Sequence, residues 1–88
     1  MISREFTIKN KMGLHMRPVQ GFVTDMAKFQ SDITIRFNDK VINGKSIMMI
    51  MAACIKCGAK ITVECSGADE EAMMAKVTEL VESGFGEE

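Results

Sequence analysis

The chain has 88 residues, of which 47% are hydrophobic and 26% charged, so we expect one small globular domain over residues 1–88 and no disordered chain. The formal net charge is only −1, but residues 1–60 carry ten basic and four acidic side chains, whereas residues 61–88 carry one lysine and eight acidic side chains. No apolar run reaches the roughly 20 residues that span a bilayer, and the first residues lack the apolar core of a signal peptide, which predicts a cytoplasmic protein without membrane insertion.

The first strand and the first helix are predicted from their hydrophobic periodicity. Residues 2–9 alternate, with Phe6 and Ile8 facing inward, as in a half-buried strand. After a loop, apolar residues at helical spacing predict a helix over residues 16–29. Gly21 lies inside this helix, where glycine costs about 1 kcal/mol relative to alanine, so we expect a close backbone approach there.

The middle of the chain predicts two strands and a second helix. Residues 33–37 alternate, and the turn at residues 38–40 leads into a short strand around Val41 and Ile42. Ser46 stands before a near-continuous apolar run over residues 47–53, which is an N-cap signal, and Gly58 is expected to end this helix. Lys45 is expected to be solvated.

The last third predicts one more strand and one more helix. Alternation over residues 59–65 indicates a fourth strand, and Asp69 is expected to cap a helix that ends near Gly84. The resulting order is β-α-β-β-α-β-α. Strands with one apolar face imply a sheet covered by helices on that face, and the pattern allows a ferredoxin-like sheet with an extra helix. The strand order cannot be read from these patterns.

The three cysteines are expected to be reduced and to pack in the interior. Their odd number and the missing export signal argue against a disulfide framework. Cys54 and Cys57 form a C-x-x-C pair followed by Cys65, but a zinc site usually needs four ligands, and a redox pair would open a helix rather than close one. We therefore expect no metal and no cofactor.

The segment around the single histidine has the features of an anion site. His15 lies three residues before the single proline, Pro18, at the change from strand-exit loop to helix. Proline suits a first helical turn because its missing N–H would have no intrahelical partner there. The amides of Met16 and Arg17, the positive end of the helix dipole and the Arg17 guanidinium should then converge beside the imidazole.

Two segments carry a resemblance to a known family. G-L-H-M-R-P at residues 13–18 resembles the phosphohistidine signature of the HPr family, the histidine-containing phosphocarriers of the bacterial sugar phosphotransferase system. N-G-K-S-I-M at residues 43–48 resembles the regulatory serine segment of that family, at the expected spacing. The likeness covers essentially the whole chain. It implies an α+β open-faced β-sandwich, in which a four-stranded antiparallel sheet is covered on one face by three helices.

The resemblance also implies a monomeric phosphoryl-carrier protein rather than an enzyme. His15 would accept a phosphoryl group from enzyme I, itself charged by phosphoenolpyruvate, and pass it to the A domains of sugar-specific enzyme II. Arg17 would assist electrostatically in both steps. Ser46 would be the site of an ATP-dependent HPr kinase, and the phosphoserine form would serve a catabolite-control repressor.

The helix after Ser46 is apolar all round, although a short helix over one sheet face cannot bury every side. Some of its side chains should therefore form a partner surface, for which the candidates are Ile47, Met48 and Met51. The chain departs from the family pattern at four positions that leave the details of this surface open: Met16, Val19, Met49 and Cys54.

Other functions are possible from the sequence. An HPr-like carrier for nitrogen or regulatory signalling would keep His15 but serve other partners. A small RNA- or protein-binding module would make His15 incidental, but no aromatic residues interleave with the basic ones, so we expect no nucleic acid. An enzyme is least favoured, because no second acid–base group and no cofactor motif accompany His15.

Overall fold

The predicted order of strands and helices is confirmed by the computed structural model, which describes residues 1–11 and 13–86. In chain order the elements are β1 (Ile2–Thr7), α1 (Met16–Met26), β2 (Asp32–Phe37), β3 (Lys40–Asn43), α2 (Ile47–Ala52), β4 (Lys60–Ser66), α3 (Glu70–Glu82) and a short 3₁₀ turn (Gly84–Gly86).

The strands form one antiparallel sheet with the order β1-β4-β2-β3, so the last strand in the sequence lies in the middle. The register aligns Val63 with Ile35 and Ile35 with Ile42, which puts three β-branched side chains in one row on the same face. All three are buried. This row is the floor of the core.

The helices cover the apolar face of the sheet and leave the other face open. α3 packs against β1 and β4, α2 lies beside β3, and α1 contacts both α2 and α3. On the open face, Arg36 and Glu64 form an ion pair with an N–O distance of 3.0 Å, as expected for a solvated surface. Within residues 1–11 and 13–86, the structure therefore confirms the four-stranded open-faced sandwich with three helices.

Two predicted helix ends were wrong. α1 ends at Met26 rather than at residue 29. α2 ends at Ala52, and Cys54 then adopts a left-handed backbone with φ of 54°, so Gly58 does not terminate the helix. The apolar run continues past α2 because Ala53 and Ile55 are buried in the core as part of the following loop. Hydrophobicity alone does not distinguish these two situations.

The expected roles of Asp69 and Gly21 were also wrong. Asp69 occupies the N-cap position of α3, but its side chain forms no capping hydrogen bond and is turned toward the segment before β2. Gly21 is exposed, and no atom lies within 4 Å of the Cβ that an alanine would add there. No close backbone approach explains this glycine.

Candidate functional site

His15 occupies the N-cap position of α1, where the extended loop becomes a helix. Its backbone is extended, with φ of −97° and ψ of −174°, and its carbonyl accepts the first helical hydrogen bond from the amide of Val19 at 3.1 Å. The side chain is half-buried, and Pro18 is buried in the first turn of the helix. The predicted position of His15 at the start of a helix is confirmed.

The first turn of α1 supplies backbone donors beside His15. Among the described residues, the amides of Met16 and Arg17 have no backbone acceptor, because they precede the first intrahelical bond. The Arg17 side chain is exposed, and no acidic side chain within residues 1–11 and 13–86 forms an ion pair with it. Two amides, one guanidinium and the positive end of α1 are thus available to an anion next to the imidazole.

The loop before His15 rests on the segment that follows α2. The amide of Leu14 donates to the carbonyl of Ile55 at 2.9 Å. Gly13 has φ of 68°, and a Cβ added there would lie 2.7 Å from both the Ile55 oxygen and the Lys56 Cα. Only glycine allows the two backbones to approach this closely. The position of His15 therefore depends on residues 40 positions further along the chain.

A buried asparagine stabilises the same loop by hydrogen bonds. Asn10 is 1% exposed, and its side-chain Nδ2 donates to the carbonyl of Gly13 at 2.5 Å. The amide of Gly13 donates back to the carbonyl of Asn10 at 3.0 Å. Sequence reasoning assigned Asn10 and Gly13 only to a turn and did not anticipate the role of Ile55. The turn-forming residues were the only signal available.

Ser46 caps α2 as predicted. Its Oγ accepts a hydrogen bond from the amide of Met49 at 3.2 Å, and its carbonyl accepts from the amide of Ile50 at 3.2 Å. Lys45, expected to be solvated, is instead half-buried and its Nζ donates to the carbonyl of Phe29 at 3.0 Å. This bond connects the start of α2 to the segment after α1.

The candidate partner surface is only partly exposed. The Met48 side chain is 82% exposed, whereas Ile47 and Met51 are half-buried and pack against the core. Two further methionines, Met49 and Met16, are 43% and 49% exposed. Met16 follows His15 in the sequence, and Met48 and Met49 belong to α2, which packs against α1.

The sequence of the chain matches a known protein family. Residues 2–83 match the family described as "PTS HPr component phosphorylation site". The chain belongs to the HPr family. It is therefore a phosphocarrier of the phosphotransferase system and not a catalytic enzyme.

Relatives and solved structures agree over the full length. Phosphocarrier protein HPr of Xylella fastidiosa (strain Temecula1) is 39% identical over 88 residues, which are 100% of this chain and 99% of that protein. Phosphocarrier protein HPr of Neisseria meningitidis serogroup A is 38% identical over 87 residues, covering 99% of this chain and 98% of that protein. The crystal structure of HPr-C-His from Thermoanaerobacter tengcongensis superimposes with a TM-score of 0.96 at 41% identity, covering 100% of this chain and 99% of that one.

The cysteines of this HPr-family chain differ from the expectation of buried packing. Cys65 is buried, and burial, together with the charge of Glu70, raises the pKa of its thiol to about 11. Cys54 and Cys57 are both exposed. The expectation was right for Cys65 and wrong for the C-x-x-C pair.

Neither a metal cluster nor a membrane helix is found in the part of the chain that the structure describes. Within residues 1–11 and 13–86, no three His, Cys, Asp or Glu side chains are grouped so that they could hold a metal ion. No helix in the same range is both long and apolar enough to cross a membrane.

Proposed function

We propose that this HPr-family chain carries its phosphoryl group on His15. It accepts the group from enzyme I and passes it to the A domains of sugar-specific enzyme II, acting as a cytoplasmic monomer in which residues 1–88 form one domain. The observation that carries this proposal is the position of His15 at the N-cap of α1, next to two first-turn amides without a backbone acceptor among the described residues.

The transfer step needs a nucleophile and a place for charged oxygens. A ring nitrogen of His15 attacks the phosphorus atom, a P–N bond forms, and the bond from phosphorus to the donor breaks. The phosphoryl oxygens keep their negative charge throughout. The amides of Met16 and Arg17, the Arg17 guanidinium and the positive end of α1 stabilise those oxygens without a metal ion. The same contacts are available when the group leaves for the next acceptor.

Ser46 is proposed as the regulatory phosphorylation site, acted on by an HPr kinase/phosphorylase and read by a catabolite-control repressor. Its hydroxyl lies at the start of α2, on the same short helix as Met48, which is 82% exposed. We propose that Ile47, Met48 and Met51 of this helix contribute to the docking surface. A phosphate on Ser46 would then change the charge at the edge of that surface.

The proposal is tested by incubating the protein with labelled phosphoenolpyruvate and enzyme I. One phosphoryl group per chain should be incorporated, labile in acid and stable in alkali, as expected for a phosphoramidate. His15→Ala should take up no label, while Ser46→Ala, which keeps His15, should still be labelled. Thermal melting of each variant checks that it is folded. Label retained in His15→Ala would contradict the assignment of His15.

A further inference from the structure

Two exposed thiols lie on the segment that supports the loop before His15. Cys54 and Cys57 are both exposed, whereas Ile55 between them is only 2% exposed. The third thiol, that of Cys65, is buried in the sheet. The chain therefore presents one accessible pair of thiols, three positions apart, and one inaccessible thiol.

The segment of residues 54–57 is hydrogen-bonded to the chain that leads to His15. The carbonyl of Ile55 accepts from the amide of Leu14 at 2.9 Å. The Cys57 thiol donates to the carbonyl of Lys9 at 3.6 Å, and the amide of Gly58 donates to the carbonyl of Ile8 at 2.8 Å. Any rearrangement between the two cysteines is therefore transmitted to the residues next to His15.

A disulfide between Cys54 and Cys57 would constrain the backbone between them. Turns precede and follow this segment, with hydrogen bonds from Cys54 to Met51 at 3.2 Å and from Ala59 to Lys56 at 3.0 Å. Residues 55 and 56 form neither a turn nor a bend. A disulfide requires its two Cα atoms to lie less than about 7 Å apart. Closing the bond would fix this separation across Ile55, whose carbonyl accepts from the Leu14 amide, so we expect this acceptor to shift.

The backbone at Cys54 favours such a rearrangement. Its φ of 54° lies in the left-handed region, which side chains with a Cβ adopt at a cost. A change of conformation between the two cysteines can relieve this strain. Two lysines are close to the pair along the backbone, since Lys56 stands between the cysteines and the backbone carbonyl of Lys9 accepts the hydrogen bond of the Cys57 thiol. Positive charge at this position attracts an anionic reagent.

We propose that Cys54 and Cys57 form a redox-sensitive pair whose oxidation by an anionic low-molecular-weight disulfide slows phosphoryl transfer at His15. The kinetic part of this inference rests on the function proposed above. Cys54 is exposed, whereas the Cys57 thiol is engaged with the Lys9 carbonyl, so we assign the first attack to Cys54. Its sulfur attacks the reagent disulfide and releases one thiol, and the Cys57 sulfur then attacks the mixed disulfide at Cys54 and releases the second. The two protein thiols lose two electrons and two protons, and the reagent becomes two thiols.

The test uses glutathione disulfide as the probe on the whole chain, followed by three measurements. Mass spectrometry should show the loss of two hydrogens and one remaining thiol, assigned to Cys65. Hydrogen exchange at the Leu14 amide should become faster, because its acceptor has moved. Labelling of His15 by phosphoenolpyruvate and enzyme I should slow several-fold and recover on reduction with dithiothreitol. The double variant Cys54→Ser, Cys57→Ser should show none of these changes.

The outcomes separate this inference from the proposed function. A stable mixed disulfide without an internal bond, or an internal bond that leaves both Leu14 exchange and the labelling rate unchanged, would overturn the inference. If the reduced protein takes up no label at all, the proposed function fails. The thiol count and the Leu14 exchange rate then still decide whether the pair is coupled to the loop before His15.

Discussion

The carboxylate of Asp69 accepts hydrogen bonds from both the amide and the hydroxyl of Ser31, which lies 38 positions earlier in the chain. The amide bond measures 2.8 Å, and the Ser31 oxygen in turn accepts from the amide of Asp69 at 3.1 Å. The second carboxylate oxygen accepts from the amide of Gln30 at 2.9 Å. Asp69 therefore links the segment before β2 to the start of α3, a tertiary role that helix capping does not describe.

This link should make the stability of the protein depend on pH. The hydrogen bonds, that of the Ser31 hydroxyl foremost, hold the pKa of Asp69 below its usual value. The unfolded chain then takes up the proton at a higher pH than the folded one, so the stabilisation is complete above the unfolded pKa and is lost as the pH falls through the folded pKa. We expect the melting temperature to fall between neutral and strongly acidic pH. In Asp69→Asn it should be lower at neutral pH and fall less on acidification.

Glu71→Gln is the matched control, since Glu71 is an exposed carboxylate in the first turn of the same helix. It should keep the acid transition of the wild type. Identical pH profiles for the wild type and Asp69→Asn would show that Asp69 contributes nothing to the acid sensitivity. Melting followed by circular dichroism at a series of pH values provides the comparison.

Gly13→Ala should disturb both the fold and the transfer reaction. An added Cβ would lie 2.7 Å from the Ile55 oxygen and the Lys56 Cα, which are backbone atoms that cannot rotate away. The positive φ of 68° adds strain, and we expect a loss of about 1–3 kcal/mol in the free energy of unfolding. Labelling of His15 should also slow, because the loop that positions it must move.

Gly58→Ala is the control for Gly13→Ala, because it introduces the backbone strain of a positive φ without a steric overlap. Gly58 has φ of 88°, but no atom lies within 4 Å of the position of an added Cβ. Urea unfolding should therefore show a smaller loss for Gly58→Ala than for Gly13→Ala. Equal losses in the two variants would argue that the contact with Ile55 is unimportant.

Gly21→Ala should stabilise the protein. Gly21 lies within α1 and is exposed, and an added Cβ meets no other atom within 4 Å. Alanine restricts the unfolded chain and favours the helix, so we expect a gain of about 0.5–1 kcal/mol in the free energy of unfolding. The midpoint of urea unfolding measures this change. A lower midpoint would mean that the helix needs glycine for a reason outside the described contacts.

Arg17→Ala should slow phosphoryl transfer while leaving the fold intact. The side chain is exposed and forms no ion pair with an acidic residue of the described part of the chain, so the stability should change by no more than about 0.5 kcal/mol. Loss of one charged donor to the phosphoryl oxygens is expected to cost roughly 10²-fold in rate. Rapid-quench labelling measures the rate. Arg36→Ala, on the open face of the sheet, should transfer at the normal rate. If both variants slowed transfer equally, the effect of Arg17→Ala would reflect only the loss of a positive charge and not a specific role of Arg17 beside His15.

Substitutions of Ser46 should separate its capping role from its proposed regulatory role. Ser46→Ala removes the acceptor of the Met49 amide and should cost about 1 kcal/mol of stability, with transfer unchanged. Ser46→Asp keeps an acceptor and adds a negative charge at the start of α2, so stability should be unchanged or higher. The resemblance to the HPr family implies that enzyme I meets this helix with acidic surroundings, so transfer from enzyme I should slow many-fold in the aspartate variant. The rate should recover in part at high salt, because screening weakens the repulsion between the like charges. Normal kinetics at low salt would leave Ser46 as a helix cap only.

Much of the fold was predictable because its signals are local. Alternation of apolar residues indicated β1, β2 and β4, the turn at residues 38–40 indicated β3, and the serine before the apolar run correctly predicted the cap of α2. Pro18, three residues after His15, correctly predicted that the histidine lies at the start of α1, because proline favours the first helical turn. These features depend on residues only a few positions apart.

The remaining features depend on contacts between distant parts of the chain, and only the tertiary structure decided them. Periodicity shows which face of a strand is buried but not which strand lies beside it, so the central position of β4 could not be predicted. The hydrogen bond from the Leu14 amide to the Ile55 carbonyl could not be predicted either. Nor could the exposure of Cys54 and Cys57, because the apolar run before them suggested that they are buried. A side chain is buried or exposed according to what packs against it, and for these residues the neighbours come from sequence positions far away.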